Sequence, residues 1–219
     1  MTEDFRGWTE EAQRFFIGLE LDNSKSYFEA HREIYERCVR GPLLALLASL
    51  EEEFGSGRIF RINRDIRFSA DKSPYKTNIA ATAGAEARGG YVSLDARGLF
   101  VASGWHQMEP AQLARFREAV AGDRTGPELE EIVGRLVRDG YEIGGEALKL
   151  VPRPYDRDHP RARLLRHKGV VVHRSYGLQP WLGTPEAREK VAIVWRDAEP
   201  LLRWFHANVG APEAVTTSG

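Results

Sequence analysis

Cysteine is almost missing from this sequence. Cys38 is the single example in 219 residues, and one thiol cannot close a disulfide within the chain. A disulfide-stapled secreted scaffold is therefore excluded, and a reducing compartment fits best. Long hydrophobic runs are missing too. No stretch approaches the roughly 18 uncharged apolar residues of a membrane-spanning helix. The opening Met-Thr-Glu-Asp-Phe has neither the basic start nor the apolar run of a secretory signal. The expectation is a cytoplasmic protein with no membrane partner. Excess charge of one sign is absent: the formal net charge is -1 and the pI about 6.6. Bulk attraction to nucleic acid or anionic lipid is not implied. The glycines at 84, 89, 90 and 98 are followed by no Gly-Lys-Ser/Thr, so they are hairpin glycines and not a phosphate loop. Ser69, Ser73 and Ser103 lack the setting of a nucleophile elbow. Cys38 has no matching His or Cys pattern and reads as an idle helix thiol.

What remains is an ordinary globular composition, with 42% hydrophobic and 10% aromatic residues. There is no internal repeat, low-complexity tract or dividing linker, so residues 1–210 read as one domain and residues 211–219 as a frayed tail. Thr9 followed by two glutamates predicts a capped helix with Phe15, Phe16, Leu19 and Leu21 as its apolar side. Asp22-Asn23-Ser24 ends it and caps a second, whose Tyr27, Phe28, His31 and Tyr35 make an aromatic face of the kind usually buried in a core. Gly41-Pro42 is expected to stop that helix and open a third. At Gly57 the period changes to two. Phe60–Phe68, Asn78–Ala85, Gly90–Leu94 and Gly98–Ser103 predict four short strands in an antiparallel meander. Helices are expected at Pro110–Ala121 and Pro127–Arg138, with an ill-defined piece at Tyr141–Leu148 and a turn at Leu164–His167. A returning strand follows at Gly169–Tyr176, then a terminal helix, Thr184–Asn208, divided or kinked at Pro200. The fold class is α+β: a mostly antiparallel sheet flanked by N-terminal, middle and C-terminal helices.

The balanced total charge hides an uneven layout. Residues 1–57 carry twelve Asp/Glu against six Lys/Arg; residues 58–77 carry six Lys/Arg against two Asp; residues 152–174 carry seven Lys/Arg against two Asp. The first basic segment is a cassette. On a strand, Arg61, Asn63, Asp65 and Arg67 would share one face and Arg64 would fall among apolar neighbours, needing Asp65 or Asp71 as a partner. Arg61, Arg67, Lys72 and Lys76 then leave surplus positive charge, and Pro74 and Tyr75 add a fixed turn, a hydroxyl and a flat face. Guanidinium forks and ammonium groups suit phosphate or carboxylate. The same pattern also fits an ion-pair ladder that holds a hairpin together without any ligand.

The run Arg61-Ile-x-Arg64-Asp65-x-Arg67-Phe68-Ser69-x-Asp71-Lys72-Ser73-Pro74-Tyr75-Lys76-Thr77 resembles the signature of the uncharacterised family named domain of unknown function 2461. Asn23, Phe28, Tyr35 and Pro42 resemble its N-terminal pattern. Gly104, Pro110, Leu113 and Arg117 resemble its next block, and Pro152, Asp156, Asp158-His159-Pro160, Leu164-Leu165 and Lys168 its late block. The chain departs from the pattern at Asp22, at Tyr27, where Trp is usual, and at Ala70, where lysine is common. The resemblance implies an α+β domain. It implies no reaction.

In the second basic segment Asp156, Asp158 and His159 are metal-ligand residue types at a spacing that matches no standard site, so no metal is expected. Asp158 capping the turn at Pro160, with His159 bonded to a carbonyl, is the structural alternative. The functional expectation is a binder of, or enzyme acting on, a small anionic molecule. Arg61, Arg64, Arg67, Ser69, Lys72, Lys76, Arg166 and Lys168 are the ligand-binding candidates. Asp65, Asp71, Tyr75 and His159 are the candidates for moving a proton. The two basic segments are expected to meet in one patch. A nucleic-acid module and a protein-interaction scaffold are the alternatives; the near-neutral charge and the lack of a known motif count against the first. No cofactor motif is present, and nothing in the sequence fixes an oligomeric state.

Overall fold

The structure, a computed structural model, describes residues 4–67, 71–84 and 90–210. The chain forms two compact units, residues 1–102 with 174–195, and residues 103–173 with 196–219. The secondary structure is α+β, with helices at the N-terminus, in the middle and at the C-terminus, as the periodicity predicts. The expected tail at 211–219 lies outside the described residues. Among those described, no helix is long and apolar enough to cross a membrane.

The first unit begins with α1 (Glu10–Leu21), where Ala12, Phe15, Phe16 and Leu19 recur at i, i+3, i+4 and i+7 and are buried; Leu21, expected on the same side, is the last residue of the helix and is exposed. Glu10 and Glu11 favour its first turn through the helix dipole, while the Thr9 side chain makes no capping hydrogen bond. Ser24 does cap: its Oγ accepts from the Tyr27 N–H at 3.1 Å and starts α2 (Lys25–Ala30). Then come α3 (Arg32–Ile34), a π-helical turn (Tyr35–Arg40) and α4 (Gly41–Phe54) without a break. The expected stop at Gly41-Pro42 does not occur. Pro42 has no N–H, and in a regular α-helix its ring would press on the Cys38 carbonyl. The wider turn ahead of it, in which Gly41 N–H bonds to Glu36 O, gives that carbonyl room. Leu43, Leu46, Leu47 and Leu50 of α4 are buried, and each such side chain contributes roughly 1.5–3 kcal/mol by leaving water.

The strands are β1 (Gly57–Ile59), β2 (Asn78–Ala83), β3 (Gly90–Asp95), β4 (Gly98–Trp105), β5 (Glu142–Gly144) and β6 (Val170–Gly177). They form one sheet in the order β1-β2-β3-β4-β6-β5, so the first four make the expected meander. In the first unit α4 packs on β1 and β2. Gly98 lets the β3–β4 turn close, with φ +125° and a space that a Cβ would share with Gly177 O at 2.0 Å. Glu142–Gly144, within the ill-defined piece of the sequence reading, is an edge strand antiparallel to β6.

The second unit is built on α5 (Pro110–Ala121), α6 (Thr125–Arg138) and α9 (Glu199–Asn208), which pack on one another. Phe116 and Phe205 stack at 5.5 Å in its core, beside Trp105 and Trp204. The terminal helix is divided where Pro200 predicts: α8 (Glu186–Asp197) ends before Ala198 and α9 begins at Glu199. The short α7 (Ala162–Leu165) contributes Leu164 and Leu165.

Candidate functional site

Among the described residues of 60–77 there is no regular strand where Phe60–Phe68 was expected; β1 ends at Ile59. Beyond it the chain doubles back as an irregular hairpin. Phe60 N–H donates to Ala80 O at 2.9 Å, Lys76 N–H to Ile62 O at 2.8 Å and Arg64 N–H to Pro74 O at 2.9 Å, and Asn63 pairs with Tyr75. Ile59 faces Ala81, but Asn63 faces Tyr75, so the returning arm carries extra residues and the register slips. Pro74 then ends the ladder, because it has no N–H to return to Arg64. Ile62 and Tyr75 point inward, while Arg61, Asn63, Arg64, Asp65 and Arg67 are exposed. Arg64 is therefore not on an apolar face. Phe68 and Ser69 lie outside the described residues.

Most of the cassette's charge is used within the cassette. Arg67 grips Asp65 with a two-pronged fork, Nε to Oδ1 at 2.9 Å and Nη2 to Oδ2 at 2.6 Å. Arg64 pairs with Asp71, whose other oxygen accepts from Ser73 N–H at 2.9 Å. Lys72 Nζ donates to Ile66 O at 3.0 Å and Lys76 Nζ to Arg61 O at 2.9 Å. Hydrogen bonds from Ser73, with Arg64 added, pull the Asp71 carboxyl down to about 2. Asp65 is lowered by its bonds from Arg67. Both are therefore ionised at neutral pH and weak as bases.

Arg61 behaves differently. It is exposed and makes no ion pair among the described residues, and it lines a groove of about 490 Å³. One wall of the groove is the hairpin, with Phe60, Arg61, Asn63 and Tyr75; the other is the run from α2 to the π turn, with Lys25, Phe28, Arg32, Tyr35 and Arg40. Tyr75 stacks on Phe28 at 4.4 Å and 16°. Asn23, at the α1–α2 junction, holds the backbone of Tyr75 from both sides. Its Nδ2 donates to Tyr75 O at 3.1 Å, and its Oδ1 accepts from Tyr75 N–H at 3.0 Å. Arg32 lies over the Phe28 ring at 5.3 Å and forks onto Glu29, while Arg40 reaches Glu36 at 3.3 Å. Burial pushes the Tyr35 phenol up to about 12, with Glu36 adding to it.

Sequence reasoning missed Arg32, Tyr35 and Arg40. The aromatic face does bury Phe28 and Tyr35 as expected, yet Tyr35 also reaches the groove. Five residues apart, Tyr35 and Arg40 would stand about 140° from each other around an α-helix. The π turn bonds residues five apart and so brings them to one side. No spacing rule would have found that pair.

The second basic segment up to His173 lies in the second unit. His159 Nδ1 accepts from Arg161 N–H at 3.0 Å, so that nitrogen holds the turn as an acceptor and not as the expected donor to a carbonyl. Asp158 does not act as the cap; its own N–H donates to Asp156 Oδ1 at 3.0 Å. Arg166 donates to Lys149 O at 3.4 Å, and Lys168 pairs with Glu146. Arg161, which the sequence did not single out, is 8% exposed and donates to Val120 O, Ala121 O and Gly122 O at 2.6, 3.1 and 3.3 Å. It satisfies the carbonyls that α5 leaves open at its C-terminus. Among the described residues no group of three or more His, Cys, Asp or Glu could hold a metal ion.

A comparison with curated proteins finds no match. The family pattern of a conserved hypothetical protein, DUF2461, spans residues 11–204, which takes in both walls of the groove and the second basic segment. By that span the chain belongs to the DUF2461 family of conserved hypothetical proteins.

Proposed function

We propose that this protein binds a small anionic molecule, a phosphate or carboxylate compound, in the groove between α2 and the cassette hairpin. The observation that carries the reading is Arg61, a guanidinium with no ion pair among the described residues, beside Arg32, Arg40 and Lys25 on one concave surface. The Arg67–Asp65 and Arg64–Asp71 pairs have a different part: they tie up the loop beyond Asn63, and none of the four residues lines the groove. Since Asp65 and Asp71 are held ionised, the reading is one of binding, with Tyr75 the candidate that remains beside a ligand. A second reading draws on those same exposed ion pairs. In it the cassette is a structural ladder, and the groove serves no ligand.

Thermal unfolding with phosphate, sulfate and citrate separates the two. Stabilisation of the native chain should be lost in Arg61→Ala and kept in Arg67→Ala; a ligand at one hundred times its Kd adds about 2.7 kcal/mol. If no anion stabilises the native chain, the ladder reading stands. Loss in Arg67→Ala with retention in Arg61→Ala would move the site out of the groove and onto the loop.

A further inference from the structure

We infer that Tyr35 and Tyr75 are specificity-determining residues of the groove, and that its ligand is a phosphomonoester. The inference rests on the anion-binding reading above. Tyr35 is 4% exposed and Tyr75 6%, yet neither hydroxyl has a hydrogen-bond partner among the described residues. Neither oxygen is sealed from solvent, so both hydroxyls open onto the groove that the two residues line. Of the other tyrosines, Tyr27 donates to Phe15 O at 3.1 Å, Tyr176 to Lys190 O at 3.1 Å and Tyr141 bonds to Asp197, while the half-buried Tyr91 and Tyr155 show no hydroxyl partner among the described residues. Of the four without a partner among the described residues, Tyr35 and Tyr75 are the two that line the groove. Each lies within electrostatic reach of an arginine, Tyr35 of Arg40 and Tyr75 of Arg32.

Charge and donor number then select the anion. The groove lining holds four cations, Lys25, Arg32, Arg40 and Arg61, against two carboxylates, Glu29 and Glu36. The surplus of two positive charges matches a phosphomonoester, which carries about -1.5 to -2 at pH 7 and offers three acceptor oxygens. A carboxylate brings one charge and two oxygens in a plane. The neutral phenols add donors without adding charge, and the Tyr35 phenol keeps its proton at any ordinary pH. Phe60 and Ile62 line the same groove and give the organic part of the ester an apolar wall.

The test is calorimetric titration of the full chain with inorganic phosphate, phenyl phosphate and acetate. Native protein, Tyr35→Phe, Tyr75→Phe and Arg61→Ala are compared. The phenylalanine variants keep the rings that pack on Phe28 and Phe15 and remove only the oxygens. Expected is tighter binding of phenyl phosphate than of acetate, weakened roughly tenfold by each Tyr→Phe change, the scale of a hydrogen bond to a charged acceptor. Phosphate binding unchanged in both phenylalanine variants but lost in Arg61→Ala would overturn the inference and leave the groove reading intact. Acetate binding as tightly as phenyl phosphate would overturn the choice of ligand. No binding of any anion by the native chain would overturn both.

Discussion

Asp71 illustrates how the same residue types can serve a loop or a ligand. The sequence placed Arg64, Asp65, Arg67 and Asp71 close together, and that was enough to expect Arg64 to need Asp65 or Asp71 as a partner. Which arginine takes which aspartate was not legible, because the choice follows from a hairpin whose register slips and stops at Pro74. Ser73 was not assigned a part, yet its side chain is the first hold on the charge of Asp71 and its N–H, at 2.9 Å, the second. In a carbon-detected NMR titration the Asp71 carboxyl should show a midpoint near 2. Ser73→Pro, which removes the N–H, or Arg64→Ala should raise that midpoint towards the ordinary carboxylate range. The sign is that of a depressed acid: its contribution to stability is complete above the ordinary range and is lost as pH falls through about 2. A midpoint near the ordinary range in the native chain would show that these bonds do not persist in solution.

Elements with a clean period were read well. Residues 110–121 match α5 to the residue, and Pro200 sits at the real division of the last helix. Failures came where backbone chemistry overrides side-chain pattern. The alternation of Phe60, Ile62, Ile66 and Phe68 suggested a strand that a proline on the partner arm does not allow to continue. The π turn was hidden because Gly41-Pro42 looked like a terminator. Arg161 was hidden for another reason: its partners are main-chain carbonyls of α5, about forty residues earlier in the chain, and carbonyls leave no mark in a sequence. Its loss should be costly at the level of that helix. Arg161→Leu should destabilise the protein by about 2–3 kcal/mol, since buried carbonyls lose charged donors. Arg161→Lys should recover only part, because an ammonium cannot span three carbonyls as a guanidinium does. Urea unfolding measures both, and equal stability of all three proteins would deny the capping role.

At the scale of the whole molecule, the near-zero net charge conceals local surpluses that only the fold could apportion, some to internal pairs and some to a groove. Acid sensitivity should be as local. His167 is 7% exposed, and its Nδ1 lies 3.2 Å from Gly169 O, so that nitrogen carries the proton and donates. Burial lowers its pKa, against the pull of the Gly169 bond. The unfolded chain therefore binds a proton more readily near pH 6, and stability should fall as pH drops below the ordinary histidine range, reaching a floor once the folded form also protonates. Melting temperature measured from pH 7.5 down to 5 should drop less steeply in His167→Gln than in the native chain; parallel curves would place the acid sensitivity elsewhere. The Asn23 clamp has a consequence of another kind. Asn23 grips the main chain of residue 75 and not its side chain. Every residue but proline could stand at position 75 and still be gripped. A library of aromatic variants at position 75, which keep the stack on Phe28, would thus vary the chemistry of the groove on a constant frame, and a library at position 23 would loosen the frame while leaving the chemistry alone. Two neighbouring positions, scanned side by side, become independent dials on architecture and recognition.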